Sequence, residues 1–474
     1  MLLDLLIKNG HVFYKNKLQK LDIGIKNTKL FCIQKEIKFK SKKTIDAKSM
    51  YVLPGGIDSH VHISQRFAPN VEIADNFESA TKSAAAGGNT FVIPFALQQR
   101  GESLRKVVND YHLLAKDNCL IDYSFHLIIS DTNPRILGQE LPSLIKDGYT
   151  SLKIFMTYED LVLTDLEILE VLKVAKENEA LVMVHAEGYD AIRFLTKEYE
   201  NQGKIAAYYH GESRPDVVER EAVHRAISHA EIIDSPIMIV HVSSKIALEQ
   251  ITWAKKRGLS VYAETCPQYI TLTKDNLKDL NMDMEGAKYV CSPPPRDKES
   301  QKAIWEGIIN KTFSIFSSDH CPFRYNDHKG KLNPKAKTSF KWIPNGIPGV
   351  ETRLPILFSE GVVKKRITIK DFVDLTSTNH AKIYGLWPKK GALEVNFDAD
   401  IVIWDPNKKK KISQKNLHHG ADYTPWEGFE ITGWPITTIS RGNIVFSENS
   451  FITNSLPGKF FERKTSSLLK KTNN

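Results

Sequence analysis

Two histidines stand two residues apart in Gly55-Gly56-Ile57-Asp58-Ser59-His60-Val61-His62. On a β-strand, alternate side chains share one face, so both imidazoles point the same way and can grip one cation. Taken alone, the pair could equally be held by ordinary hydrogen bonds. Three further candidates tip the balance, because each closes a later apolar run: His185 after Leu-Val-Met-Val, His241 after Ile-Met-Ile-Val, and Asp319 after Phe-Ser-Ser. Polar residues have little reason to end apolar strands repeatedly unless those ends converge on one place.

Lys153, in Ser-Leu-Lys-Ile-Phe-Met-Thr-Tyr, ends another run in the same way. A lysine at the rim of a fold usually extends its amine to solvent. Beside two cations an ammonium is repelled, whereas a neutral amine that reacts with carbon dioxide becomes an anionic carbamate with two oxygens to share between two ions. Such a centre suits hydrolysis, since a bound cation lowers the pKa of water to about 7 and supplies a strong nucleophile. Asp319 is then placed to take and deliver the proton. Histidine, carbamate and carboxylate suit zinc best among common metals, with manganese or cobalt fitting similar geometry. His320 and Cys321 follow Asp319 directly but face other directions, and His126, His224 and His229 lack a ligand context.

The elements that must position these residues follow from periodicity. Short apolar runs recur at 57–63, 90–95, 123–129, Ser151–Phe155, Leu181–His185, 237–241, 260–264 and 313–317. Segments with helical spacing separate them, including Asp165–Glu177 and 217–233, which carry apolar residues three and four apart. Eight such strand–helix units close a barrel whose strand C-termini share one mouth. The two ends of the chain read differently. Residues 2–37 and 399–446 alternate like antiparallel strands, with turns at Asn9-Gly10 and Arg441-Gly442-Asn443. The expected fold is therefore α/β: a (β/α)₈ TIM-like barrel over 54–390, and a small β-sandwich domain assembled from 1–53 and 391–456. A basic tail over 457–474 completes the chain.

Composition is that of an ordinary soluble protein, 41% hydrophobic and 26% charged. The net charge of +9, 65 basic minus 56 acidic residues, invites a nucleic-acid reading. Much of the excess, however, sits in 408–411 and in the tail, as a solvated surface. A nucleic-acid module also predicts a basic stripe with interleaved aromatics, not convergent histidines, so no nucleic-acid partner is expected. Five cysteines without a close-pair framework fit reduced thiols and no disulfide. No basic leader region precedes the apolar start, and no stretch reaches the roughly 18 apolar residues of a membrane span. These features lead us to expect a cytoplasmic protein without a membrane partner.

With these residues assembled, the sequence resembles the D-hydantoinase and dihydropyrimidinase group of the amidohydrolase superfamily. The resemblance spans nearly the whole chain. It includes the stretches at 55–62, 151–158 and 184–187, Cys291-Ser292-Pro293-Pro294, and the stretch at 317–323. Further along it includes Pro344-Asn345-Gly346, Thr378-Asn379-His380-Ala381-Lys382 and Asp398-Ala399-Asp400-Ile401-Val402. It implies two zinc ions: His60, His62, Lys153 and Asp319 around one, and Lys153, His185 and His241 around the other, with Lys153 as the carboxylated bridge. It also implies that the Tyr158 hydroxyl steadies the developing oxyanion, and that Ser292 and Asn345 fix a cyclic amide largely through main-chain groups.

The implied reaction is attack of a bridging hydroxide on a ring carbonyl, taking a 5,6-dihydropyrimidine or 5-substituted hydantoin to an N-carbamoyl amino acid. A homotetramer or dimer is implied as well. The sequence departs from the group at Gly188, where many relatives carry asparagine, at Asn89 after Gly87-Gly88, and at Pro295. It also differs over 65–75, a loop of the kind that shapes the exocyclic side of a pocket. An allantoinase or dihydroorotase would keep the metals but differ around Tyr158 and Ser292. A non-catalytic scaffold of the same fold would be expected to lose ligands, and all six are present.

Overall fold

The computed structural model describes residues 1–67, 70–278, 284–452 and 456–466. Its centre is a parallel sheet running in order through Gly56–Val61, Asn89–Leu97, His126–Ile128, Ser151–Phe155, Leu181–His185, Ile237–Ile239, Val261–Thr265 and Ile315–Phe316. A parallel bridge between Val61 and His320 joins the last strand to the first and closes the ring. These are the eight expected runs, with shifted ends. The third is interrupted, because Asp122–Tyr123 and His126–Ile128 pair separately and Arg463 takes the intervening Phe125 carbonyl. The eighth is only two residues long, since the Ser318 amide turns away to Asp58 Oδ1 at 3.2 Å.

The strands bury nearly every residue, as a sheet covered on both faces must. Inside the ring pack Ile57, Phe91, Ile93, Phe95, Met183 and Met238, with Tyr384 and Leu386 in the same cluster. Outside, helices lay apolar stripes on the sheet. Asp165–Glu177 begins with a capping box, in which Thr164 accepts from the Glu167 amide and the Glu167 carboxylate accepts from the Thr164 amide. Asp216–Ile233 starts one residue earlier than expected, after Pro215, and ends at Asp234 in the left-handed conformation.

Both chain ends contribute to a second, nine-stranded sheet. Tyr51–Pro54 from the N-terminal part pairs antiparallel with Ile401–Lys411 from the C-terminal part. Leu2–Tyr14 divides this sheet, pairing with Lys40–Asp46 along its first half and with Tyr51–Pro54 along its second. The division falls at Asn9-Gly10, which is a bulge inside that strand and not the expected hairpin turn. Asn9 has φ +59, the register slips between Ile7 and Gly10, and a Cβ at Gly10 would lie 2.5 Å from Val52. The turn at Arg441-Gly442 does join Glu430–Ser440 to Asn443–Ser447.

Ions bury where the two sheets meet. Lys390, 1% exposed, donates to Asp400 at 2.6 Å and Asp122 at 2.9 Å and lies 3.1 Å from Asp398, while Arg441 binds the other Asp122 oxygen. The described part of the basic tail is only partly the solvated surface expected from its charge: Lys459 and Lys464 are exposed, but Arg463 is buried. Phe461 donates its amide to the Tyr123 carbonyl, and Arg463 is buried against Ser124, Ser151 and the Phe125 carbonyl. Its aromatic residues explain the docking, since Phe460 packs among Tyr123, Phe125 and Tyr149. Residues 467–474 of that tail lie outside the described residues.

Candidate metal centre and substrate pocket

His60 and His62 leave the first strand on one face, and Asp319 meets them from beyond the eighth. Each of the three offers a ligand atom within 4.8 Å of the others. Hydrogen bonding fixes how the imidazoles present themselves. His60 Nδ1 lies 2.6 Å from Glu264 Oε1, and His62 Nδ1 lies 2.6 Å from Gln65 Oε1. The Gln65 amide is itself oriented by its Nε2 donating to the Phe95 carbonyl, so the oxygen faces His62. Both Nδ1 atoms therefore donate, and both Nε2 lone pairs turn to Asp319 Oδ1, at 3.2 Å and 3.5 Å. Burial and neighbouring cationic groups hold His60 well below its usual pKa, so protonation does not relieve the crowding. Three acceptors converging with no proton between them fit a bound cation, and histidine with carboxylate is a zinc-compatible donor set.

His241 stands beside this cluster, its ring centroid 5.3 Å from that of His60 and 4.4 Å from that of His185. Its buried Nδ1 has no hydrogen-bond partner among the described residues, which leaves a nitrogen that a metal could engage. His185 ends the fifth strand but directs Nε2 to Glu187 Oε2 at 2.7 Å. Lys153 lies inside its strand, two residues before the end, and is fully buried with Nζ near the Phe95 and Phe155 rings. Burial brings its amine down to about 8, opposed by the charges of Glu264 and Asp319. The amine is thereby nearer to the neutral form that reacts with carbon dioxide. Backbone strain accumulates here too, with left-handed φ at Tyr158 (+68), His241 (+39) and Asp319 (+50), none of them glycine.

The remaining expected residues form a second cluster. Tyr158 packs 5.4 Å from His185, and the side chains of Ser292 and Asn345 lie close to its hydroxyl. Burial pushes the phenol well above its ordinary pKa, which keeps it a proton-bearing donor at neutral pH. His320 has no nitrogen to spare, donating from Nε2 to Asp75 at 2.9 Å and accepting the Gly349 amide at Nδ1. His126 is likewise engaged by Ser151 and Ser59, whereas His224 meets Gln250 through Nδ1 alone and His229 lies 3.1 Å from Asp165.

Several residues escaped the sequence reading. Glu264 had a visible signal, for it closes the seventh run as the ligands close theirs. Gln65, Glu187, His210 and Lys331 carried none. His210 bonds the Cys291 carbonyl at 2.8 Å and sits 3.4 Å from Ser292, and only the folded chain brings them together.

The amidohydrolase family model matches residues 51–445. Among curated relatives, a D-hydantoinase of Ralstonia pickettii is 40% identical over 463 residues, covering 98% of this chain and 99% of its own. One of Geobacillus stearothermophilus is 42% identical over 460 residues, covering 97% and 96%. The crystal structure of a dihydropyrimidinase from Brevibacillus agri superposes with a TM-score of 0.94 at 40% identity, covering 98% of this chain and 99% of that one. A metal-ready barrel mouth and likeness along both chains' full lengths lead to one assignment: this chain belongs to the amidohydrolase family, in its D-hydantoinase and dihydropyrimidinase group.

Proposed function

We propose that the protein hydrolyses a cyclic ureide, opening a 5-substituted hydantoin or a 5,6-dihydropyrimidine to an N-carbamoyl amino acid. The observation that carries this reading is the convergence of His60, His62 and Asp319 at the barrel mouth, with the Tyr158 phenol packed on His185 and close to Ser292 and Asn345. The ligand assignment is two zinc ions: His60, His62, Lys153 and Asp319 around one, Lys153, His185 and His241 around the other. Lys153 would hold both ions as a carbamate, which its neutral amine would form by adding to carbon dioxide with loss of one proton. When bound, the pair supplies activated water at neutral pH and polarises a carbonyl.

The chain's own residues do the rest. Ser292 and Asn345 orient the ring against Tyr158. The Tyr158 hydroxyl donates to the carbonyl oxygen as negative charge develops there. Asp319 accepts the proton of the attacking water and delivers it to the ring nitrogen as the C–N bond breaks, so the water oxygen ends in the new carboxylate. The five free thiols fit a reducing cytosol, and a dimer or tetramer completes the reading. No helix among the described residues is long and apolar enough to cross a membrane.

The test is turnover of a panel of hydantoin, 5-substituted hydantoins, dihydrouracil, allantoin and dihydroorotate by metal-analysed protein. The reading requires carbamoyl amino acid from the first three and about two metal equivalents per chain, because six ligands exceed one tetrahedral ion. Activity that survives complete chelation would overturn it.

A further inference from the structure

Ser292 and Asn345 reach Tyr158 from two separate loops, and one buried lysine ties those loops together. Lys331 belongs to the excursion after the eighth strand, and its side chain is fully buried. Its Nζ donates to the Val290 carbonyl at 2.7 Å and to the Pro344 carbonyl at 2.6 Å. Pro344 directly precedes Asn345, and Val290 stands two residues before Ser292. The Gly346 amide joins the same Val290 carbonyl at 3.0 Å, so both loops are cross-linked at one point.

A planar trans peptide points its N–H opposite to its C=O. Drawing the Val290 and Pro344 carbonyls to one amine therefore turns the N–H groups of Cys291 and Asn345 away from it. Among the described residues, neither of these N–H groups donates to another group. They remain available to a ring carbonyl.

We propose that Lys331 is a positioning residue for ring opening: by gathering two carbonyls it sets the direction in which the peptide groups around Ser292 and Asn345 meet the substrate. The proposal rests on the function given above. The groups facing the amine are Cys291, Cys321 and the Phe323 ring, with no carboxylate among them. Burial brings the amine down to about 7. Charged or neutral it keeps at least two N–H for its two acceptors, so the clamp holds in both forms.

The experiment compares wild type, Lys331→Met and Lys331→Ala on hydantoin and dihydrouracil, with bound zinc and melting temperature measured alongside. Loss of a charge-capable donor to two carbonyls should raise KM on the order of tenfold to a hundredfold, with zinc per chain unchanged. Propylamine, which replaces the missing stem and amine, should lower the KM of Lys331→Ala, and propan-1-ol should not. If Lys331→Met does not fold, Lys331→Ala with propylamine decides alone. An unchanged KM with fewer active sites marks a merely structural lysine and overturns the clamp, as does Lys331→Ala whose raised KM ignores propylamine. A wild type that opens no ring overturns the functional reading and the clamp with it.

Discussion

Glu264 holds His60 through a 2.6 Å hydrogen bond between its Oε1 and the imidazole Nδ1, and the same oxygen accepts the His241 amide at 3.1 Å. One carboxylate at the end of the seventh strand thus orients the His60 imidazole from the first strand and the His241 backbone from beyond the sixth, both of them proposed metal ligands. Such outer partners fix the tautomer and the aim of the metal-binding nitrogen.

Glu264→Ala should therefore weaken metal binding by about ten- to a hundredfold, although Glu264 is assigned to neither ion. Competition with a chromogenic chelator measures this directly. Excess zinc should restore part of the activity. Metal retention equal to wild type would show that packing alone holds His60.

Tyr158→Phe should lower kcat by roughly a hundredfold with metal content unchanged, because the lost hydroxyl matters most as oxyanion charge grows. The buried phenol donates in its protonated form, so the wild-type rate should not fall in the mildly alkaline range through this group. A Tyr158→Phe enzyme with the wild-type rate would leave Tyr158 as packing for His185.

The joint between the sheets gives a stability prediction. Lys390 neutralises part of a buried group of three aspartates, and Lys390→Met leaves them facing one another, at a cost of about 3–5 kcal/mol. The pH dependence has a definite sign. Burial already raises Asp400, and removing Lys390 removes the main influence that lowers it. A carboxyl whose folded pKa exceeds its unfolded value binds more protons when folded, so its contribution to stability falls as pH rises. Denaturant melts should show the deficit of Lys390→Met shrinking as pH drops from 7 toward 5. A deficit that grows on acidification would contradict this account.

Most of the barrel was legible in the sequence, because strands buried on both faces must be continuously apolar and a polar residue at their ends stands out. His185, His241 and Asp319 were visible for that reason, and His60 and His62 through their spacing of two residues on one strand. Glu264 met the same criterion and was passed over, since a carboxylate that aims a histidine leaves the same trace as one that holds a metal. Lys331 lies in an irregular loop and His210 in the five-residue helix Tyr208–Glu212, both too short of periodicity to rank one polar residue above another. Asn9-Gly10 shows the opposite limit. The dipeptide accommodates left-handed backbone equally at a hairpin or a bulge, and pairing with Lys40–Asp46 and Tyr51–Pro54 decided between them. The docking of Phe460, Phe461 and Arg463 was hidden by the charge of the segment around them, which outweighed its aromatic residues in any reading by composition.

Lys153 carries the sharpest prediction, because its assigned role depends on a modification that no codon specifies. Its amine is buried beside two aromatic rings, near the charges of Glu264 and Asp319, and burial brings it down to about 8. If its carbamate bridges two ions, Lys153→Ala removes a ligand from both at once, and bound zinc and activity should fall together. The vacated space can admit a short carboxylic acid, whose two oxygens stand where the carbamate's would. Acetate or propionate should then restore part of the turnover and part of the metal. Lys153→Arg should not respond, because guanidinium fills the space and brings positive charge to the cations. A lysine that only packs or pairs with a carboxylate predicts mild losses in both variants and no response to added acid. Hydantoin turnover and zinc content of the two variants, each with and without the acid, separate these outcomes, and full metal occupancy in Lys153→Ala would rule out the bridge.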